Sequence, residues 1–208
     1  MIVQIEVYEY ISENTYLYAD DETRHGFLID PGAEPRRILR IADEYGITIE
    51  KILLTHGHFD HIGAVAEIQR ALKIPVFMHA NGKYYIRDPE HNGSAMFNFG
   101  IGLGTTNFLQ NGAIIDLEYD PFFAVELIAT PGHSLDSVIY YSERDGVAFV
   151  GDTIFRGGIG RTDWYGGDYN TLMKSIRTKI LTLPDETILY SGHSEPTTVG
   201  AEKNFFRE

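Results

Sequence analysis

Three observations predict an α/β fold. Stretches with strand periodicity alternate with stretches at helical spacing, 208 residues with 43% apolar content suit one sizeable globular core, and several predicted strands run directly into histidine or aspartate. The first third reads strand, helix, strand, helix, strand, which places helices outside a sheet. A single domain over residues 1–208 is the matching expectation.

Residues 1–29 alternate as strands, with Ser12-Glu13-Asn14-Thr15 and Ala19-Asp20-Asp21-Glu22 as turn-like breaks. Phe27-Leu28-Ile29 is a short buried strand that Asp30-Pro31-Gly32 ends. Residues 35–45 carry Ile38, Leu39 and Ile41 on one side and stop at Gly46, the pattern of an amphipathic helix. A strand follows at 47–54, then a helix at 62–72 through Ile62, Val65, Ile68 and Leu72, then a short strand at 75–78.

From 79 to 112 periodicity fades while Gly, Asn and aromatics accumulate, as in a lid or pocket wall. Tyr84, Tyr85, Phe97, Phe99 and Phe108 either line an apolar cleft there or serve in ordinary packing. Strands resume at 113–117 and 122–129, and 138–142 pairs with 147–150 through Asp145-Gly146, a tight-turn dipeptide. Residues 169–181 read as a helix and 187–190 as the last strand.

The chemistry concentrates in Thr55-His56-Gly57-His58-Phe59-Asp60-His61, directly behind the apolar run Ile52-Leu53-Leu54. Imidazole nitrogen and carboxylate oxygen are ligands of a borderline divalent ion, and a solvated loop has no need of four of them in seven residues. If the strand stays extended past Thr55, His56 and His58 point the same way and can grip one ion. The turn into the next helix re-aims Asp60 and His61 toward a second. Three more segments carry candidates at predicted strand ends: Thr130-Pro131-Gly132-His133-Ser134, Phe149-Val150-Gly151-Asp152-Thr153 and Tyr190-Ser191-Gly192-His193. Buried strands that end in ligands at one rim are what a rigid metal site needs.

The H-x-H-x-D-H pattern closing a strand, with those three segments in that order, resembles the metallo-β-lactamase superfamily over nearly the whole chain. Gly160-Arg161-Thr162-Asp163, Gly166-Gly167-Asp168-Tyr169 and Pro196-Thr197-Thr198-Val199-Gly200-Ala201-Glu202 are most similar to short, single-domain glyoxalase II-like hydrolases. The resemblance implies an αββα sandwich, two β-sheets flanked by helices with a metal site at one rim. It implies that His56, His58 and His133 hold one divalent ion, that Asp60, His61 and His193 hold another, and that Asp152 bridges both. Asp30 matches an aspartate that supports the site from behind; its plain alternative is a turn aspartate before proline. Arg161 and Asp163 orient the substrate or brace the metal loop. His79 and His91 match no ligand position.

Zinc is the expected metal, with iron or manganese as alternatives for the same donors. Two such ions about 3.5–4 Å apart lower the pKa of a shared water from about 15.7 toward 7, which makes hydrolysis by hydroxide the expected reaction. Asp60, Asp152 and that hydroxide offset three of the four positive charges. The resemblance to glyoxalase II-like proteins, stronger than that to lactam-cleaving relatives, implies a small-molecule thioester such as S-lactoylglutathione as substrate; a thiolate also departs without a general acid, and the motifs contain no obvious one.

Two departures bear on the thiol. Fifteen residues follow His193, too few for the helical C-terminal domain that supplies much of the glutathione contact in full-length glyoxalase II. Gly192-His193-Ser194-Glu195-Pro196 also replaces the usual Gly-His-Gly-Pro. The rival from another class is a one-iron persulfide dioxygenase using His56, His133 and Asp152. Against it, Gly158-Ile159-Gly160 stands where that family tends to carry Gly-Cys-Gly. A non-catalytic metal-binding protein is the third reading, which the intact ligand set disfavours.

Composition narrows the rest. There are no cysteines, so disulfides, thiolate ligands and a cysteine nucleophile are excluded. A formal net charge of -13 without a basic run argues against a nucleic-acid partner. The N-terminus lacks the basic and apolar regions of a signal peptide, and no run of about 18 apolar residues suggests a membrane span. The expected location is the cytoplasm.

Overall fold

In the computed structural model, which describes residues 1–206, the chain folds into two six-stranded sheets packed face to face with helices on both outer faces. The first sheet takes β1 (Ile2–Tyr8), β2 (Ser12–Ala19), β3 (His25–Ile29), β4 (Thr48–Leu53), β5 (Val76–His79) and β6 (Asn107–Leu109) in that order. The first three pair antiparallel and the last four run parallel. The parallel run needs crossovers, which α1 (Pro35–Glu44) and, after the single turn α2 (Phe59–Ile62), α3 (Val65–Leu72) supply.

The second sheet is built from β7 (Ile114–Asp116), β8 (Ala124–Ala129), β9 (Val138–Ser142) and β10 (Val147–Gly151). A small hairpin, β11 (Ile154–Phe155) with β12 (Gly158–Ile159), follows, and β13 (Ile188–Ser191) and β14 (Thr197–Thr198) complete the sheet in the order 14-13-10-9-8-7. Two helices cover its outer face. They are α4 (Tyr169–Ser175), which Asp168 caps and which continues as a π-helical turn over Ile176–Ile180, and α5 (Val199–Phe205), which Thr198 caps.

Side-chain alternation assigns each strand residue to a layer. Tyr16 and Tyr18 of β2, Phe27 and Ile29 of β3 and Leu53 of β4 face Val125, Leu127, Val138, Tyr140, Val147 and Phe149 across the sandwich. Their neighbours Leu17, Leu28 and Ile52 face α1 and α3 instead. The inter-sheet core is aromatic: Tyr18 meets Phe123 at a centroid distance of 4.6 Å and Phe149 at 5.3 Å. Both faces of β2 to β4 are therefore buried, which makes the alternation in their sequence faint.

Several boundaries differ from expectation. Ser12-Glu13-Asn14-Thr15 is the first half of β2, and the chain reverses at residues 9–11 instead. Glu13, Asn14 and Thr15 there are buried with hydrogen-bond partners. The helix expected at 62–72 starts at Val65, since Ala64 donates to the Pro31 carbonyl and the chain breaks at Gly63. β6 and the two-residue strands are too short to show periodicity. Among the described residues no helix is long and apolar enough to cross a membrane.

Candidate metal centre

The carboxyl ends of β3, β4, β10 and β13, together with the end of β8, meet at one rim of the sandwich. β4 ends at Leu53, and the following loop is closed onto the second sheet by the Val138 N–H donating to the Thr55 carbonyl. His56 and His58 sit in this loop rather than in a continued strand, so the extended-strand expectation is corrected. A register shift in the β10–β13 pairing falls between Phe149 and Gly151, where the chain bends to release Asp152. Gly151 has φ +48°, and a β-carbon there would collide with the Thr55 hydroxyl, so this bend requires glycine.

All seven expected ligand residues come together. Single ligand atoms of His56, His58 and His133 lie within 4.8 Å of one another, as do those of Asp60, His61 and His193. Asp152 reaches both groups: its Oδ2 is 3.7 Å from His133 Nε2 and 3.3 Å from His193 Nε2, and its Oδ1 is 3.4 Å from His61 Nε2. Asp60 Oδ2 lies 3.3 Å from His193 Nε2.

The remaining ring nitrogens decide which way the lone pairs point. His133 Nδ1 donates to the Arg161 carbonyl at 2.8 Å, and His193 Nδ1 donates to the Ser12 carbonyl at 2.6 Å. His61 Nδ1 donates to Asp30 Oδ2 at 3.0 Å. The Thr55 hydroxyl donates to Asp30 Oδ2 and so accepts from His56 Nδ1 at 3.1 Å. With those protons committed outward, His56 and His133 aim lone pairs at each other across 3.2 Å, while His58 Nδ1 approaches His133 Nε2 at 2.9 Å. One shared proton cannot satisfy three converging nitrogens; a divalent cation can. Buried His61 Nε2 and Asp152 Oδ1 make no hydrogen bond at all. The donor set therefore fits a metal on residues of this chain alone.

The two groups carry opposite electrostatics. Burial, reinforced by the neighbouring imidazoles, holds His56 well below the usual range and brings His58 down to about 3; burial also lowers His133. Burial pulls down on His61 and His193 too, but Asp152 outweighs it, assisted at His61 by Asp30 and Asp60, and raises His61 strongly and His193 to about 10. Burial pushes Asp60 and Asp152 upward, yet the adjacent histidines prevail and lower both.

Asp30 lies behind the cluster, with Oδ1 accepting the Thr55 N–H at 2.7 Å and Oδ2 taking the Thr55 hydroxyl and His61. Its φ of +48° and those three bonds set it apart from a plain turn aspartate. Arg161 is fixed by two bonds to Asp163, at 2.8 and 2.9 Å, and lies 4.1 Å from the centre of the Trp164 ring. Its backbone carbonyl, not its side chain, holds His133.

A cavity of about 250 Å³ opens over the cluster, walled by Ile11, Phe155, Trp164 and Arg161 beside the ligand residues. None of the five aromatics weighed between a cleft and ordinary packing lines it. Tyr85 is fully buried, and Phe97 packs on Phe59 and Tyr10. A larger groove of about 700 Å³ lies between α1, α3 and the start of β4, without any converging ligand set. His91 stacks on Tyr165 at 3.5 Å and His79 caps a short helical turn, both away from the cluster.

Ile11, Phe155, Trp164 and the supporting Asn14 were not foreseen. Phe155 and Trp164 stand in stretches with no periodicity, and Ile11 sits at the reversal between β1 and β2 in a segment that reads as strand. Asn14 lies in a polar run that reads as a turn.

Fold and site define an α/β sandwich with a His/Asp cluster able to hold metal ions at one rim. The metallo-beta-lactamase superfamily model matches residues 10–193, and the chain belongs to that superfamily. It is 41% identical over 198 residues to the probable metallo-hydrolase YqgX of Bacillus subtilis, covering 93% of this chain and 90% of that one. To the hydroxyacylglutathione hydrolase GloC of Haemophilus influenzae it is 36% identical over 194 residues, 92% of this chain and 90% of that one. The crystal structure of the BLEG-1 B3 metallo-beta-lactamase superposes with a TM-score of 0.91 at 37% identity, covering 98% and 97% of the two chains.

Proposed function

We propose that the protein is a two-metal hydrolase of small-molecule thioesters such as S-lactoylglutathione, in the manner of glyoxalase II. The observation that carries this reading is the Asp152 carboxylate spanning two ligand groups whose ring nitrogens are turned inward. His56, His58 and His133 would hold one divalent ion and Asp60, His61 and His193 the other, zinc being the expected element and iron or manganese the alternatives. Two ions so held supply an activated water and an electrophile for an acyl carbonyl.

The chain's own groups do the rest. Ile11, Phe155 and Trp164 form apolar walls for the acyl group, and Arg161, kept in place by Asp163 and Trp164, presents a fixed cation at the mouth. Four of the five imidazoles commit their Nδ1–H to Arg161, Thr55, Asp30 and Ser12, so with Nε2 turned to a metal none of these four is free to protonate a leaving group. No lysine or tyrosine lines the cavity. This favours a leaving group stable as an anion, which a thiolate is and an amide nitrogen is not. The 36% identity to GloC over most of both chains supports the same substrate class.

The test is release of free thiol from S-lactoylglutathione by protein loaded with two ions per chain. Turnover well above buffer is expected; none above buffer overturns the reading. The likeness to BLEG-1 favours lactam cleavage as the second reading, since a strained ring amide also opens under such attack, and a β-lactam run beside the thioester separates the two. A one-iron dioxygenase would leave Asp60, His61 and His193 without a task; oxygen consumption with glutathione persulfide distinguishes it.

A further inference from the structure

His193 stands on a short turn after β13 and is less enclosed than the other ligand-type histidines, its side chain being 22% exposed. Within its own sheet the turn is closed by Ser191 Oγ against Ser194 Oγ at 2.7 Å and by the Gly192 N–H donating to the Gly151 carbonyl at 3.0 Å. Gly192 has no side chain to pack, and a β-carbon there would come within 2.5 Å of Asp152 Oδ1 and 2.6 Å of His61. A second restraint comes from the other sheet, from β2.

The Asn14 N–H donates to the Gly192 carbonyl at 2.8 Å, and its side-chain amide donates both protons, to the Ser191 carbonyl and the Ser194 carbonyl, each at 3.1 Å. The amide thus straddles Gly192-His193 from both ends. Its orientation is set by Gln4, whose Nε2 donates to Asn14 Oδ1 at 2.9 Å, leaving the NH2 group only the two carbonyls. Two residues away on the same strand, the Ser12 carbonyl receives His193 Nδ1. Asn14 is 8% exposed, so its bonds face little competition from water.

We infer that Asn14 is a positioning residue for one ion: its amide fixes the Gly192-His193 turn so that His193 Nε2 meets Asp60 and Asp152, while the group formed by His56, His58 and His133 does not depend on it. The inference rests on the two-ion reading above. The Tyr16 hydroxyl, which donates to the same Ser191 carbonyl at 2.7 Å, anchors the strand end but does not touch the Ser194 side of the turn. From the facing sheet, the two-sided grip belongs to Asn14.

The experiment compares the parent with Asn14→Ala and Asn14→Asp, the second being nearly isosteric, able to accept from Gln4 and unable to donate to either carbonyl. Zinc bound per chain is titrated against a chelator of known affinity, alongside thermal unfolding of the metal-free proteins. The expected result is two ions in the parent, with the more weakly held one loosened about 10–100-fold in both variants and the tighter one unchanged. Two ions held with parental affinity in both variants would overturn the inference. Loss of both ions in step with a fall in Tm would overturn it too, by assigning Asn14 to general stability. A parent that holds one ion removes the two-ion reading itself, and does so in the unmutated protein.

Discussion

The two ligand groups lie side by side yet are built on opposite terms. His56, His58 and His133 form a neutral, buried set whose imidazoles are held in the unprotonated state before any ion arrives. Asp60, His61 and His193, with Asp152 beside them, form a charged set in which protons on the two histidines offset the carboxylates. On the two-ion reading proposed above, one ion would enter a place already vacated by protons and the other would have to displace them. The supports cut across this division: a hydroxyl and a carboxylate stand behind His56 and His61, one from each group, whereas His133 and His193 lean on backbone carbonyls of distant segments.

The largest effect on turnover is expected where the two groups join. Asp152→Ala removes the one carboxylate that reaches both, and thioester hydrolysis should fall by about a thousandfold or more, since several kcal/mol of transition-state stabilisation disappears at about 1.4 kcal/mol per decade. Steady-state kinetics at saturating zinc measures it, and hydrolysis unchanged by the substitution would revive the non-catalytic reading.

The asymmetry itself is tested by pH. Because His193 is raised to about 10, and His61 is raised as well, both stay protonated through neutrality in the metal-free protein. Each proton displaced makes affinity for that ion climb tenfold per pH unit, so with a proton displaced from each histidine the site of Asp60, His61 and His193 should tighten on the order of 10,000-fold between pH 6 and 8. The other site, whose histidines are lowered, should be nearly flat over the same range. Competitive chelator titration at the two pH values reads both; equal slopes would erase the distinction drawn between the groups.

A smaller effect is expected from Asp30→Asn, which leaves the Thr55 and His61 donors with a weaker, half-donating partner. Ion affinity on the carboxylate side should drop about 10–100-fold, seen in the same titration. Least of all, Trp164→Ala trims the cavity wall. It should raise KM about tenfold with kcat nearly unchanged, a loss of uniform binding.

The same contrast explains what the sequence disclosed. The loop from His56 to His61 was legible because its ligands are contiguous and follow an apolar run. Asp152 and His193 were legible through the strands that lead to them and the resemblance they complete. Glu13-Asn14-Thr15 was misread because three polar residues in a row signal a turn unless their buried partners are known, and those partners lie about 15 to 180 residues away. The start of α3 was misplaced because Gly63 packs against the Gly32 backbone, a contact no periodicity encodes. The walls Ile11, Phe155 and Trp164 sit on turns and a two-residue strand, where side-chain direction is set by tertiary structure alone.

The most direct test of a paired-ion hydrolase is thiol release from S-lactoylglutathione measured against zinc bound per chain, from metal-free protein to saturation. The account predicts little turnover up to one ion per chain and a steep rise between one and two. Full activity reached at a single ion, or none at two, would contradict it.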